Sequence, residues 1–230
     1  KTEIALPKAS VIEAKDTSFL GLDGVTVRGG EKSVDARNLD RLIVRNSRLS
    51  GASQVAIDAR SVGRMDLADS VIRGAGSLGL AMRDTAGVVV RSLIEDVDGA
   101  GILAAPDDPM DLTNCDGSDS TCPFSNFLVV TDSLIRRVRG NGVETRFAQV
   151  RVHRSRVEEV SAPAGQESGH ATGINAVQSF AVVDEGTVVA EVDGRGISLS
   201  STRAEIEKSR AKGCSGPGFS VGRRSAEAIE

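Results

Sequence analysis

Apolar and polar residues alternate along this chain in short bursts that return at a nearly fixed interval. Aligned on a recurring serine, NSRL at Ser47, DSVI at Ser70, RSLI at Ser92, DSLI at Ser133, RSRV at Ser155 and KSRA at Ser209 share one pattern, with Gly186 of EGTV in the equivalent place. The intervals are 23, 22, 41, 22, 31 and 23 residues. Each long interval holds an insertion, at 107 to 126 and at 162 to 171. Without them a period of roughly 22 to 23 residues runs throughout. Before each anchor, apolar residues alternate, as in Leu42 and Val44, Met65 and Leu67, Val88 and Val90, or Leu128 and Val130. Two residues after it stands another, such as Leu49, Ile72, Ile94 or Ile135. Alternation over so few residues predicts strands. A further strand follows, usually announced by glycine: GLAM, GILA, GVET, GINA, GISL and GFSV.

Each repeat therefore holds two or three short strands and no stretch of helical period long enough for a βαβ crossover. One such coil cannot bury its own apolar face. Stacking coils solves this, because each strand pairs in parallel with its counterpart one repeat away, about 4.8 Å along the axis. The expected fold is all-β: a right-handed parallel β-helix solenoid of about seven to eight coils. Residues 39 to 223 are expected to form it, residues 1 to 38 an amino-terminal cap with a candidate first coil, and residues 224 to 230 a polar tail. The strings LIVRNSRLSG and LVVTDSLIRR, each followed by a glycine-led strand, resemble the right-handed parallel β-helix proteins of the pectate-lyase-like superfamily. The resemblance implies fold more than function, since that superfamily includes polysaccharide lyases, hydrolases and epimerases, adhesins, and coils with no known chemistry.

Composition agrees with small, stackable interiors: 40% of residues are hydrophobic, yet Trp and Tyr are absent and Phe numbers 6. Lys plus Arg is 28 against 32 for Asp plus Glu, a net charge of −4, with the signs interspersed, which argues against nucleic acid as a partner. No apolar run is long enough to span a bilayer. The amino end, KTEIALPKAS, lacks both Met and an apolar signal core, consistent with a missing preceding segment. Cys115 and Cys122 flank a polar loop and are expected to close it as a disulfide, which points to a secreted, periplasmic or cell-surface location; Cys214 stands apart.

Candidate chemistry concentrates on the outer face of the glycine-led strand, where alternation exposes Asp58 and Arg60, Arg83, Glu144 and Arg146, and Asn175 in successive coils. Asp84 follows in the next turn, and Asp107, Asp108 and Asp111 lie beyond Ala105. On an enzyme reading, Arg83, Asp84, Glu144 and Arg146 carry catalysis while Asp58, Arg60, Asn175 and His170 contact the ligand. Asp107, Asp108 and Asp111, with Asn114, Asp116 and Asp119 of the NCDGSD loop, form a candidate calcium site of clustered oxygen ligands, although Leu112 breaks the EF-hand pattern. The plainer reading is an Asp and Arg ladder that solvates an exposed sheet. A glycosidase needs two carboxylates roughly 5 to 9.5 Å apart, and Asp58 and Glu144, three coils apart, stand about 14 Å from each other. Ile43, Val89, Val129 and Val182 are expected to form an apolar outer stripe on the strand before the serine, a candidate protein contact.

Without a catalytic motif, the chain reads first as an extracellular or cell-surface module that binds glycans or a protein partner. A polysaccharide lyase or epimerase acting on an acidic polysaccharide is the alternative, and a structural subunit of a larger assembly the third.

Overall fold

The computed structural model describes residues 3–6, 9–107, 126–163, 165–166, 169–200 and 202–222. These residues form a parallel β-solenoid of about eight turns, with strands and turns only. Every strand pairing is parallel. One sheet has nine strands, from Glu3–Leu6 to Arg210–Cys214, and the other has fourteen. The larger sheet forms two faces of each coil. In the early coils one strand runs through the bend between them, as in Ile12–Asp23, Lys32–Arg45 and Val55–Ala68. In later coils the strand divides, as into Leu78–Arg83 and Ala86–Val90. Residues 12 to 23 pair with 34 to 45, so the solenoid register already holds within the first 38 residues.

Corners use residues at positive φ, where short polar side chains are tolerated best. At the corner preceding the serine these are Asn46, Asp69, Arg91, Asp132, Arg154, Glu185 and Lys208, with φ between 43° and 50°. From Asp69 onward the column alternates in sign. Arg91 donates to both oxygens of Asp69 at 2.7 Å, and Arg154 to both oxygens of Asp132 at 2.8 and 3.0 Å.

The serines are internal joints. The Ser92 hydroxyl accepts the Ser70 N–H (3.3 Å) and donates to the Val90 carbonyl (2.9 Å); Ser133 accepts from Ser92 (3.2 Å) and donates to Thr131 (2.8 Å). A turn that would leave buried N–H groups unpaired is thereby satisfied. In the sixth of the aligned repeats Val188 pairs with Arg156, which sets Thr187 opposite Ser155. Its hydroxyl donates to the Asp184 and Val152 carbonyls. Gly186 is thus one extra turn residue (φ 83°) and not the equivalent of the serine. A second corner carries a hydroxyl and amide ladder: Thr85 accepts the Val62 N–H, Asn126 the Thr85 N–H, Ser179 the Ala148 N–H, and Thr202 the Ser179 N–H.

The core is a stack of aliphatic columns, among them Leu42, Met65, Leu128 and Val150, or Leu49, Ile72, Ile94 and Ile135. One expected register is off by a residue. Val89 is 1% exposed and pairs with Leu67 and Val130, so it belongs to the core; Val88 is the outward residue. Three consecutive valines hide the phase here, and the inward position before them is Gly87, whose missing side-chain volume is filled by Met82 (Sδ 2.6 Å from a Cβ built on Gly87). The glycines that announce the next strand also differ from turn residues: Gly79, Gly101, Gly142, Gly173 and Gly196 are strand positions packed under the opposite sheet, with the next coil's carbonyl 2.5 to 2.7 Å from any added Cβ.

Candidate functional site

The charged outer face is assembled by register. Asp35 pairs with Asp58 and Asp58 with Ala81, while Arg37 aligns with Arg60 and Arg60 with Arg83. Leu103 then pairs with Glu144 and Glu144 with Asn175. Asp58, Arg60 and Arg83 come together, and Lys32 joins them. The Asp58 carboxylate is 1% exposed, and accepts from Lys32 (2.6 Å), Arg83 (2.5 Å) and Arg60 (3.3 Å). Lys32 bridges to Asp35 (3.0 Å), which Arg37 also holds at 2.8 and 2.9 Å. Burial pushes the Asp58 carboxyl up, but the bonds from Lys32 and Arg60 and the charge of Arg83 outweigh it and hold the group below the usual carboxylate range. Asp35 is held low by the same balance, with burial opposed by Arg37 and Lys32. The sequence carried a signal for this pairing that residue-by-residue reading missed: the string DAR recurs at 35–37 and 58–60, one period apart.

Toward the later coils the frame opens into a shallow depression of about 280 Å³ lined by Arg83, Leu103, Ala105, Pro106, Glu144 and Arg146. Glu144 accepts from Arg146 (2.9 Å) and Asn141 (2.9 Å). Asp107 donates its backbone N–H to the Asp84 carboxylate (3.2 Å) and turns its own carboxylate toward Arg60 and Arg83, 3.7 and 3.8 Å away. Asn175 lies one coil beyond Glu144, and His170 is exposed just before the strand Ala171–Val177 that carries Asn175. Asp108, Asp111, Asn114, Asp116, Asp119, Cys115 and Cys122 lie outside the described residues. Among the described residues no three His, Cys, Asp or Glu side chains form a metal-holding group, and no helix is long and apolar enough to cross a membrane.

A second buried carboxylate sits on the nine-stranded sheet. Glu95, 0% exposed, lies between Arg73 and Arg136 in register and accepts from both, and from Arg137 at 2.5 Å. Burial raises its carboxyl and the three arginines more than reverse that. Asp66 is held low between Arg41 and Arg64, and Asp184 between His153 and Arg151, in each case against burial.

All five carboxyls are depressed in the folded state. Such groups contribute stability above their unfolded pKa of about 4 and lose it as pH falls through the folded values. Thermal melts are therefore expected to be flat from neutral pH to mild acid and to fall only below about pH 4. A loss setting in near pH 6 would contradict this balance.

No protein-family model, no curated protein and no solved structure matches the chain, so the fold stands on the molecule's own geometry and the pectate-lyase-like kinship on resemblance alone.

Proposed function

We propose that this solenoid is a non-catalytic binding module whose ligand surface is the arginine frame and the depression beside it, and that the ligand is a glycan. The observation that carries this reading is Asp58. A carboxylate so buried, and held ionised by three cations, cannot deliver a proton at neutral pH; what it does is fix the directions of Arg60 and Arg83. Preoriented guanidinium edges, the Glu144 acceptor and a small apolar floor at Leu103, Ala105 and Pro106 suit hydroxyl-rich and carboxylate-bearing rings. The lyase or epimerase alternative fares worse, because it needs an arginine or carboxylate free for proton transfer, and Arg83 and Arg146 are both bonded to acids.

Calorimetry against a panel of neutral and acidic oligosaccharides tests the proposal. Binding is expected, weakened about tenfold by Arg83→Ala or Arg146→Ala, the loss of one charge-assisted contact. Two results would overturn it: no binding across the panel, or unsaturated products absorbing in the ultraviolet with or without Ca²⁺.

A further inference from the structure

The outer face of the strand preceding the serine bears, over six successive coils, an order of residues that is complementary to its own reverse, apolar meeting apolar and acid meeting base. Register aligns Ile43, Asp66, Val88, Val129, Arg151 and Val182 in one outward column. The four apolar members are half-buried, and Phe127 beside them is 43% exposed. Consider a two-fold axis along the strand direction, midway between Ala86–Val90 and Asn126–Thr131. It reverses coil order and sets each column against itself. Val88 then faces Val129, Asp66 faces Arg151, and Ile43 faces Val182 of a second copy. In the adjacent column Ala86 faces Phe127, small against large, while Arg41 faces Phe180 and Phe19 faces Arg203 as cation–π pairs. In the third, Arg45 faces Asp184. The one like-charge pair, Asp23 with Glu207, falls at the exposed rim, where salt screens it.

We infer that this face is an isologous dimer interface whose occupant is a second copy of the same chain. An isologous contact requires a self-complementary patch, in which residue i meets j and j meets i, and this column order meets that requirement for apolar and charged positions alike. Asp66 has capacity for the contact, because Arg41 and Arg64 each donate to one of its oxygens and leave lone pairs over, and Arg151, whose Nε and Nη2 are bonded to Asp184 of its own copy, keeps Nη1 for Asp66 of the second. Two such sheets pack face to face with strands nearly aligned, about 10 Å apart. Eight coils by three outward residues cover roughly 35 Å by 15 Å, on the order of 500 Å² per copy. That is the low end for specific interfaces, so the dimer dissociates on dilution.

Sedimentation velocity of the full chain across a concentration series tests this. A monomer–dimer shift is expected, weakened by salt through its two Asp66–Arg151 contacts. Val129→Glu sets a carboxylate against Val88 of the second copy and is expected to weaken dimerisation at least tenfold with little change in melting temperature. Arg151→Glu faces Asp66 with a like charge and is expected to weaken dimerisation likewise, here with a lower melting temperature as well, because Arg151 also holds Asp184 of its own copy. A monomer at every attainable concentration, or a dimer that survives Val129→Glu, overturns the inference. So does a monomer that Val129→Glu destabilises, which would mean that the chain's own segment 108–125 or another region covers the stripe.

Discussion

Asp58→Ala is expected to lower stability by about 3 kcal/mol, the cost typical of removing one partner from a buried charge pair. The substitution leaves Lys32, Arg60 and Arg83 converging on an empty position, three cations within reach of one another with the carboxylate that neutralised them gone. Lys32 is mostly buried, so it bears more of that repulsion than Arg60 and Arg83, which can turn toward water. Glycan affinity should fall with stability, since the arginines lose the anchor that orients them. Denaturant melts of Asp58→Ala and Asp58→Asn give the measure. The amide keeps shape and one acceptor, so it should recover part of the loss. Equal stability of Asp58→Ala and the parent chain would show that the cations are held by something other than this carboxylate.

Gly142→Ala is expected to cost about 3 kcal/mol, at the upper end for overpacking a filled core. A Cβ there meets Val157 Cγ1 at 2.3 Å and the Gly173 carbonyl oxygen at 2.5 Å, and neither can give way: one belongs to the core of the opposite sheet and the other to the backbone of the next coil. Gly24 offers the contrast. It has nothing within 4 Å of an added Cβ, so Gly24→Ala meets only its positive φ of 66° and should cost about 1 kcal/mol. Paired melts of the two variants separate lost space from lost backbone freedom, and a milder effect at Gly142 than at Gly24 would refute the close approach of the two sheets.

Most of the solenoid is legible in the chain because parallel stacking makes residues one period apart into neighbours. The serines mark the phase of six coils, and the strands around them follow. Legibility fails where the marking residue changes type. The second corner is built successively from Val62, Thr85, Asn126, Ala148, Ser179 and Thr202, so no single letter marks it from coil to coil. At Gly87 the inward side chain is supplied by a residue five positions earlier, and the valines that follow fit either phase. The candidate site was half legible. Alternation placed Asp58, Arg60, Arg83, Glu144 and Arg146 on one face, but whether a carboxylate there is solvated or engulfed depends on side chains from the coils above and below. Lys32 and Asp35, which decide the matter for Asp58, belong to the stretch whose phase lacks the serine marker. Glu95 could have been found by the same reasoning, because Arg73, Glu95, Arg136 and Glu158 each stand three residues after a serine.

The corner column from Asp69 to Lys208 has a property that its individual ion pairs lack. Since its sign reverses at each coil, the column has a parity. Displacing one part of the stack by a single coil brings arginine onto arginine and aspartate onto aspartate, while displacement by two restores every attraction. Individually these exposed pairs contribute little. Taken in sequence they distinguish odd from even, so the unit that can be removed from this part of the molecule, or added to it, without electrostatic conflict is a pair of coils.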